Sequence, residues 1–220
     1  MRRIYWFCLC LFALSSAYAQ DWDTLLPARG YVNIAEKDPT IRIHLMYACP
    51  ENFMGEAVYT GITQAWLRPE AAEKLCKAQR LLREIHPGYA LIVYDAARPM
   101  AVQRKMWSLV RGTDKTNYVS NPANGGGLHN YGMAVDVSIL DAEGTPLPMG
   151  SAVDFFGEEA HTNKEEILVQ NGKISKEEFN NRRLLRRVMT DAGFRTIRYE
   201  WWHFNACSRA EAKEKLQVIE

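Results

Sequence analysis

Two hydrophobic periods alternate along the chain. Ile41 to Ala48 runs Ile-Arg-Ile-His-Leu-Met-Tyr-Ala, which predicts a strand with Ile41, Ile43, Leu45 and Tyr47 on one face. Arg42 and His44 fall on the other face, and His44 reads as a solvated strand residue rather than a ligand. Pro69 then opens a helix of about 17 residues, with Ala72, Leu75, Cys76, Ala78, Leu81 and Leu82 at helical spacing and Pro87-Gly88 as the stop. Tyr89 to Tyr94 predicts a buried strand, followed by a second helix from Pro99 to Val110 whose apolar side carries Val102, Met106, Leu109 and Val110. In Met133 to Ile139 the Val/Ile positions face one way, and Ala134, Asp136 and Ser138 face the other. Ser175-Lys176-Glu177-Glu178 is a capping box. Its helix runs to Ala192 and stops at Gly193, burying Phe179, Leu184, Leu185, Val188 and Met189. Arg182, Arg183, Arg186 and Arg187 read as its solvated face. Phe194 to Tyr199 predicts another strand, and a short charged helix starts near Ser208.

The segments between these elements have their own signatures. Residues 21–40 are mixed and polar and read as a surface wrap, and residues 157–174, with His161, read as a mobile excursion. Residues 111–128 hold Gly112, Asn117, Ser120, Asn121, Asn124 and three consecutive glycines, with no core-forming pattern. A loop this long within a compact chain is usually functional, and here it delivers His129. Neither an internal repeat nor a linker is present, so residues 20–220 read as one domain.

The first nineteen residues stand apart. Met1-Arg2-Arg3 is basic, Ile4 to Leu14 is continuously apolar, and Ala17-Tyr18-Ala19 is a small-x-small cleavage pattern. That is a secretory signal peptide, too short in its apolar run to span a bilayer, and it predicts an exported protein, periplasmic or secreted. The whole chain carries 27 basic and 26 acidic residues, so losing Arg2 and Arg3 leaves a net charge near −1. Nothing in that balance suits nucleic acid or an anionic membrane. Cys49, Cys76 and Cys207 remain after cleavage; an oxidising compartment would allow one pair to bridge, and sequence does not select the pair.

The chemistry lies in three places. Residues 125–138 contain His129 and Asp136 with Gly132 between them. On one continuous helix the two would stand about 10 Å apart along the axis, too far to share an ion, so the chain must reverse at Asn130-Tyr131-Gly132. Alone, the pair reads more readily as a loop histidine and a strand-edge charge than as two ligands. The segment Glu200-Trp201-Trp202-His203 supplies a carboxylate and an imidazole three residues apart, which one regular strand would send to opposite faces, so the strand must bulge or end there. Arg98 is held extended by Pro99 at a strand exit, where it either pairs with Asp95 or faces a site. Together, His129, Asp136 and His203 are three N/O donors that leave a fourth position open, as in a catalytic zinc site. Glu200 is then the right chemical type for a base acting on water, and Arg98 for holding an oxyanion.

These motifs resemble the zinc D-alanyl-D-alanine dipeptidases, the type associated with vancomycin resistance. The family pattern Ser-x-His-x-x-Gly-x-Ala-x-Asp appears as Gly127 to Asp136, with Gly127 in place of the serine. The Glu-x-x-His pattern appears as Glu200 to His203, and the family's Tyr-Arg-Pro as Ala97-Arg98-Pro99. Asn52 to Gly55, Met149 to Phe155 and Asn181-Arg182-Arg183 follow in family order. The resemblance implies an α+β fold, a small antiparallel sheet with flanking helices, shared with hedgehog-like domains. It further implies one zinc ion on His129, Asp136 and His203, with Glu200 as general base and acid and Arg98 on the oxyanion. Asp154 would hold the ammonium of a small D-amino-acid dipeptide, with Tyr47, Asn52 and Phe53 contributing to substrate binding. Two alternatives are a D,D- or L,D-carboxypeptidase acting on peptidoglycan stems and a zinc-stabilised module that binds wall peptides without turnover. A pocket closed around Asp154 would favour the dipeptidase over the carboxypeptidase.

Overall fold

A computed structural model describes residues 20–220; residues 1–19, expected from the sequence to be a signal peptide, lie outside the described residues. In chain order the elements are α1 (Trp22–Ala28), β1 (Val32–Asn33), α2 (Ile34–Lys37), β2 (Arg42–Ile43), β3 (Trp66–Leu67), α3 (Pro69–Ile85) and β4 (Ala90–Asp95). There follow α4 (Met100–Val110), β5 (Ala134–Leu140), α5 (Glu165–Gln170), α6 (Lys176–Asp191), β6 (Arg195–Thr196), β7 (His203–Asn205) and α7 (Arg209–Lys215). The main sheet has the order β2-β4-β5-β7-β6, antiparallel except for the parallel β2–β4 pair, and β1 and β3 form a separate antiparallel pair. The α+β class therefore holds, with one parallel edge. No helix among the described residues is long and apolar enough to cross a membrane.

Three strands place the chemistry at one level of the sheet. Asp136 on the central β5 pairs with Asp95 of β4 on one side and His203 of β7 on the other. The β4–β5 register shifts between Val93 and Asp95, because Tyr94 is an extra residue there. A bulge of this kind turns the following side chain to the other face, so Asp95 shares Asp136's face instead of following Val93 into the apolar layer. α3 and α6 pack on each other, and Leu75 and Leu82 of the first and Leu185 and Val188 of the second are buried in the core. Each helix starts as its sequence dictates, Pro69 at the first turn of α3 and the Ser175–Glu178 capping box on α6.

Several expectations need correction. Residues 21–40 are not a polar wrap: α1 is short, but Trp22 and Leu26 lie four apart on one face and dock in the core with Tyr31 and Ile34. The alternation of residues 41–48 reports burial correctly, with Ile41, Leu45 and Tyr47 inside and Arg42 and His44 exposed, but only Arg42–Ile43 pair with a neighbour. At a sheet edge half of the partners are missing, and the chain leaves into a 3₁₀ turn at Met46–Ala48. Phe194–Tyr199 likewise pairs only at Arg195–Thr196, again an edge, and His203 opens a strand of its own. Residues 157–174 are packed through Ala160, Leu168 and Ile174, and His161 is buried. Arg182 is not solvated but 1% exposed: its Nε donates to the Met149 carbonyl at 2.5 Å and its Nη2 to the Glu159 carbonyl at 2.7 Å. Buried Glu165 explains the inward turn, since it pairs with Arg186 and lies 3.8 Å from Arg182. Leu109 lies off the buried stripe of α4 and is exposed, whereas Val119 in the polar loop reaches the core. The three cysteines are unbridged thiols, with Cys76 and Cys207 buried.

Candidate metal centre

His129 sits on a single 3₁₀ turn, Leu128–Tyr131, that Gly132 ends in the left-handed region at φ 67°. Only glycine fits there, because a Cβ on Gly132 would lie 2.4 Å from the Tyr31 ring. The reversal required by the His129–Asp136 spacing is therefore present. Backbone and side-chain bonds lock the turn to the neighbouring segments: Arg98 N–H donates to the His129 carbonyl at 3.0 Å, and Asn130 Nδ2 to the Arg98 carbonyl at 2.8 Å.

Three acceptor atoms converge. His129 Nε2 is 3.1 Å from His203 Nδ1 and 3.3 Å from Asp136 Oδ1, and His203 Nδ1 is 3.0 Å from the same oxygen. The other nitrogen of each ring is a donor with its own acceptor: His129 Nδ1–H to the Ala96 carbonyl at 2.7 Å, and His203 Nε2–H to Asn205 Oδ1 at 2.8 Å. With those protons directed outward, neutral rings aim two lone pairs and a carboxylate oxygen at one point. Such a triangle is satisfied by a cation, and tetrahedral zinc with bonds of about 2.0–2.1 Å separates its donors by roughly 3.3 Å. The outward hydrogen bonds are the support that metal-binding imidazoles need. Burial works against ionising Asp136, yet the imidazoles of His129 and His203 hold it well below the usual carboxylate range. Burial also works against protonating His129, and Asp136 and Asp95 outweigh it.

Glu200 lies in the bend between β6 and β7, so the strand does end where the Glu-x-x-His spacing demanded. Its Oε2 is 3.9 Å from His203 Nδ1 and its side chain is 12% exposed. Burial raises its pKa to about 8, against the opposing pull of His203. Arg98 does pair with Asp95, but inside the protein: Nε and Nη2 reach Asp95 Oδ2 at 2.9 and 2.5 Å, and Nη1 reaches Gln103 Oε1 at 3.0 Å. Its guanidinium lies 3.8 Å from Asp136 and over the Tyr47 ring at 5.0 Å. That is a fixed, buried cation beside the donor triangle.

Asp154 lines the same cavity as Glu200 and Arg98. The Tyr47 hydroxyl donates to its two oxygens at 2.8 and 2.7 Å, and the Phe53 N–H lies 3.4 Å from it. Its backbone takes φ 64°, and burial pushes its pKa to about 6. Tyr47 and Phe53 face the same cavity of about 540 Å³ as Arg98, Asp136, Glu200 and His203. Asn52 does not: its amide donates to the Met46, Cys49 and Glu56 carbonyls and so shapes the loop that carries Phe53. The rings of Phe53, Phe156 and Tyr118 form a wall there, with successive centroids 4.8 and 4.7 Å apart.

Sequence reasoning missed Asn205 and Gln103. Asn205 is two residues beyond His203 on one strand, a spacing that shares a face and so could have been found. Gln103 was concealed on the apolar side of α4, where it is 1% exposed. A second donor group, His44, Cys49 and Glu51, also gathers, but His44 and Glu51 are exposed and already pair at 2.8 Å.

Comparison with known proteins shows the family. A peptidase M15 family model described as D-ala-D-ala dipeptidase matches residues 27–219. A D-alanyl-D-alanine dipeptidase of Escherichia coli K12 is 31% identical over 173 residues, covering 79% of this chain and 82% of the relative. One of Enterococcus faecium is 32% identical over 192 residues, covering 80% and 90%, and one of Synechocystis is 28% identical over 178 residues, covering 68% and 72%.

Proposed function

The chain belongs to the D-Ala-D-Ala dipeptidase family of M15 peptidases, and on that premise we propose that it is a zinc dipeptidase cleaving D-alanyl-D-alanine or a closely related wall dipeptide. The observation that carries the proposal is the donor triangle of His129, Asp136 and His203 opening on a cavity that also holds Glu200, Arg98 and Asp154. Zinc, when bound there, supplies a Lewis acid that acidifies water toward neutral pH and polarises a carbonyl.

The chain's own groups account for the remaining steps. Asp154 receives the substrate ammonium, with Tyr47 and the Phe53 N–H orienting the carboxylate. Glu200 takes a proton from the attacking water as the new C–O bond forms, and Arg98 carries the charge that develops on the former carbonyl oxygen. Glu200 then passes that proton to the amide nitrogen as the C–N bond breaks, releasing two amino acids. Burial brings this carboxyl's pKa toward neutrality, where one group can both accept the proton in the first transfer and give it up in the second. The aromatic wall beside Asp154 leaves an amino terminus better served than a longer acylated stem, which favours dipeptides over the carboxypeptidase reading. A purely structural metal site would not need Glu200, which counts against the binding-module reading. The basic, apolar and small-residue pattern of residues 1–19 supports export as part of this proposal.

The test is a mass-spectrometric assay of the zinc-loaded protein without residues 1–19 against D-Ala-D-Ala, L-Ala-L-Ala and a stem pentapeptide. Alanine from the first alone is expected. Release of terminal alanine from the pentapeptide at a comparable rate would favour the carboxypeptidase, and no release from any would remove the enzymatic reading.

A further inference from the structure

Gly127 occupies the position at which the Ser-x-His pattern carries a serine, and its backbone does not require glycine: φ −103° and ψ 178° are open to any residue. Space is the constraint. A Cβ at residue 127 would lie 3.0 Å from Ser120 Oγ and 3.3 Å from Ser120 Cβ. Position 127 and the side chain of Ser120 thus compete for one slot on the cavity wall, and here Ser120 fills it.

Ser120 is also placed with care. Gln103 Nε2 donates to its carbonyl at 2.8 Å, while Gln103 Oε1 accepts from Arg98 Nη1 at 3.0 Å. One buried amide therefore sets both the arginine and the serine. Among the described residues the Ser120 hydroxyl makes no hydrogen bond within the protein, so its donor is available to a ligand. Asp154 joins Arg98 through Tyr47, whereas the Ser120 backbone joins it through Gln103, so residue 120 lines the cavity on the Gln103 side of the arginine, its hydroxyl against position 127. A dipeptide with its ammonium at Asp154 directs its carboxylate away from that end.

We propose that Ser120 is a specificity-determining residue whose hydroxyl donates to the substrate carboxylate, taking the slot that a serine at position 127 would otherwise occupy. The inference rests on the dipeptidase reading above. Its test is an exchange cycle: Ser120→Ala, Gly127→Ser and the two combined, each measured for kcat and KM on D-Ala-D-Ala and for Tm. Ser120→Ala should raise KM about 10- to 150-fold with kcat and Tm little changed, the range expected for one hydrogen bond to a charged group. Gly127→Ser alone should also impair turnover by crowding Ser120, whereas the combined variant should recover most of the wild-type KM. Two impairing substitutions that relieve each other are not expected of a merely structural serine. An unchanged KM in Ser120→Ala, or a combined variant no better than either single one, would overturn the inference with the dipeptidase reading intact. A wild-type protein inactive on the dipeptide would instead remove the reading beneath it.

Discussion

Replacing Asp154 by Asn separates charge from shape. Asn tolerates the left-handed φ of 64° and can still accept the Tyr47 hydroxyl, so the backbone should not move. What disappears is a carboxylate whose pKa burial has lifted from 3.8 to about 6. An ammonium–carboxylate hydrogen bond contributes about 1.5–3 kcal/mol, so kcat/KM on a free dipeptide should fall roughly 10- to 150-fold. Most of that loss should appear in KM. The wild-type kcat/KM should also decline as pH drops through about 6, where Asp154 gains a proton and loses its attraction for the ammonium. That acidic limb should be missing from the variant. Stability should move the other way. The folded pKa exceeds the unfolded one, so the native state holds the extra proton between 3.8 and about 6, and this group's contribution falls as pH rises through that window. The rise bounds the cost at neutral pH to roughly 3 kcal/mol, less whatever solvent relieves at this partly exposed residue. Asp154→Asn should therefore melt at or above the wild-type temperature at pH 7. The assays are a pH series of kcat/KM and thermal melts of both proteins at pH 4 and pH 7. A kcat/KM within twofold of wild type, or an unchanged acidic limb, would refute Asp154 as the ammonium partner.

Three further perturbations test the rest of the site. Glu200→Gln should retain zinc at one ion per chain, by elemental analysis, and lose about 10²- to 10⁴-fold in kcat; unchanged turnover would sink Glu200 as the proton carrier. Asn205→Leu removes the acceptor for His203 Nε2–H and should weaken zinc binding about 10- to 100-fold in a chelator competition, with an unaltered affinity counting against that supporting role. Gly132→Ala forces a Cβ to within 2.4 Å of the Tyr31 ring at a positive φ, and should lower stability by more than about 1 kcal/mol in denaturant melts. A neutral result there would mean that the turn adapts without the glycine.

The sequence was readable where a signal is local and periodic. The span of α3 follows from Pro69 and an apolar stripe, and the start of α6 from Ser175 and Glu178. The donors His129, Asp136 and His203 were identifiable as types, and the reversal at Gly132 followed from the distance that two ligands of one ion must close. Strand lengths at the sheet edges were not readable, because alternation reports which side is buried and not whether a neighbour exists, as Ile41 and Tyr47 show. Long-range pairing was equally hidden. Nothing local announces that Tyr94 is an extra residue, that Gln103 bridges Arg98 to Ser120, or that Glu165 draws Arg182 out of solvent. The excursion at residues 157–174 looked mobile because its few apolar residues are spaced too widely to form a stripe.

The placement of side chains around the cavity divides into two inheritances. Asp95, Asp136 and His203 stand on paired strands, so changing them disturbs the sheet itself. Tyr47, Phe53, Ser120 and Asp154 stand on turns and connecting segments, where substitutions usually cost the fold less. Three groups of the site are thus tied to the sheet, while those that would meet the substrate can be changed one loop position at a time with the sheet left intact.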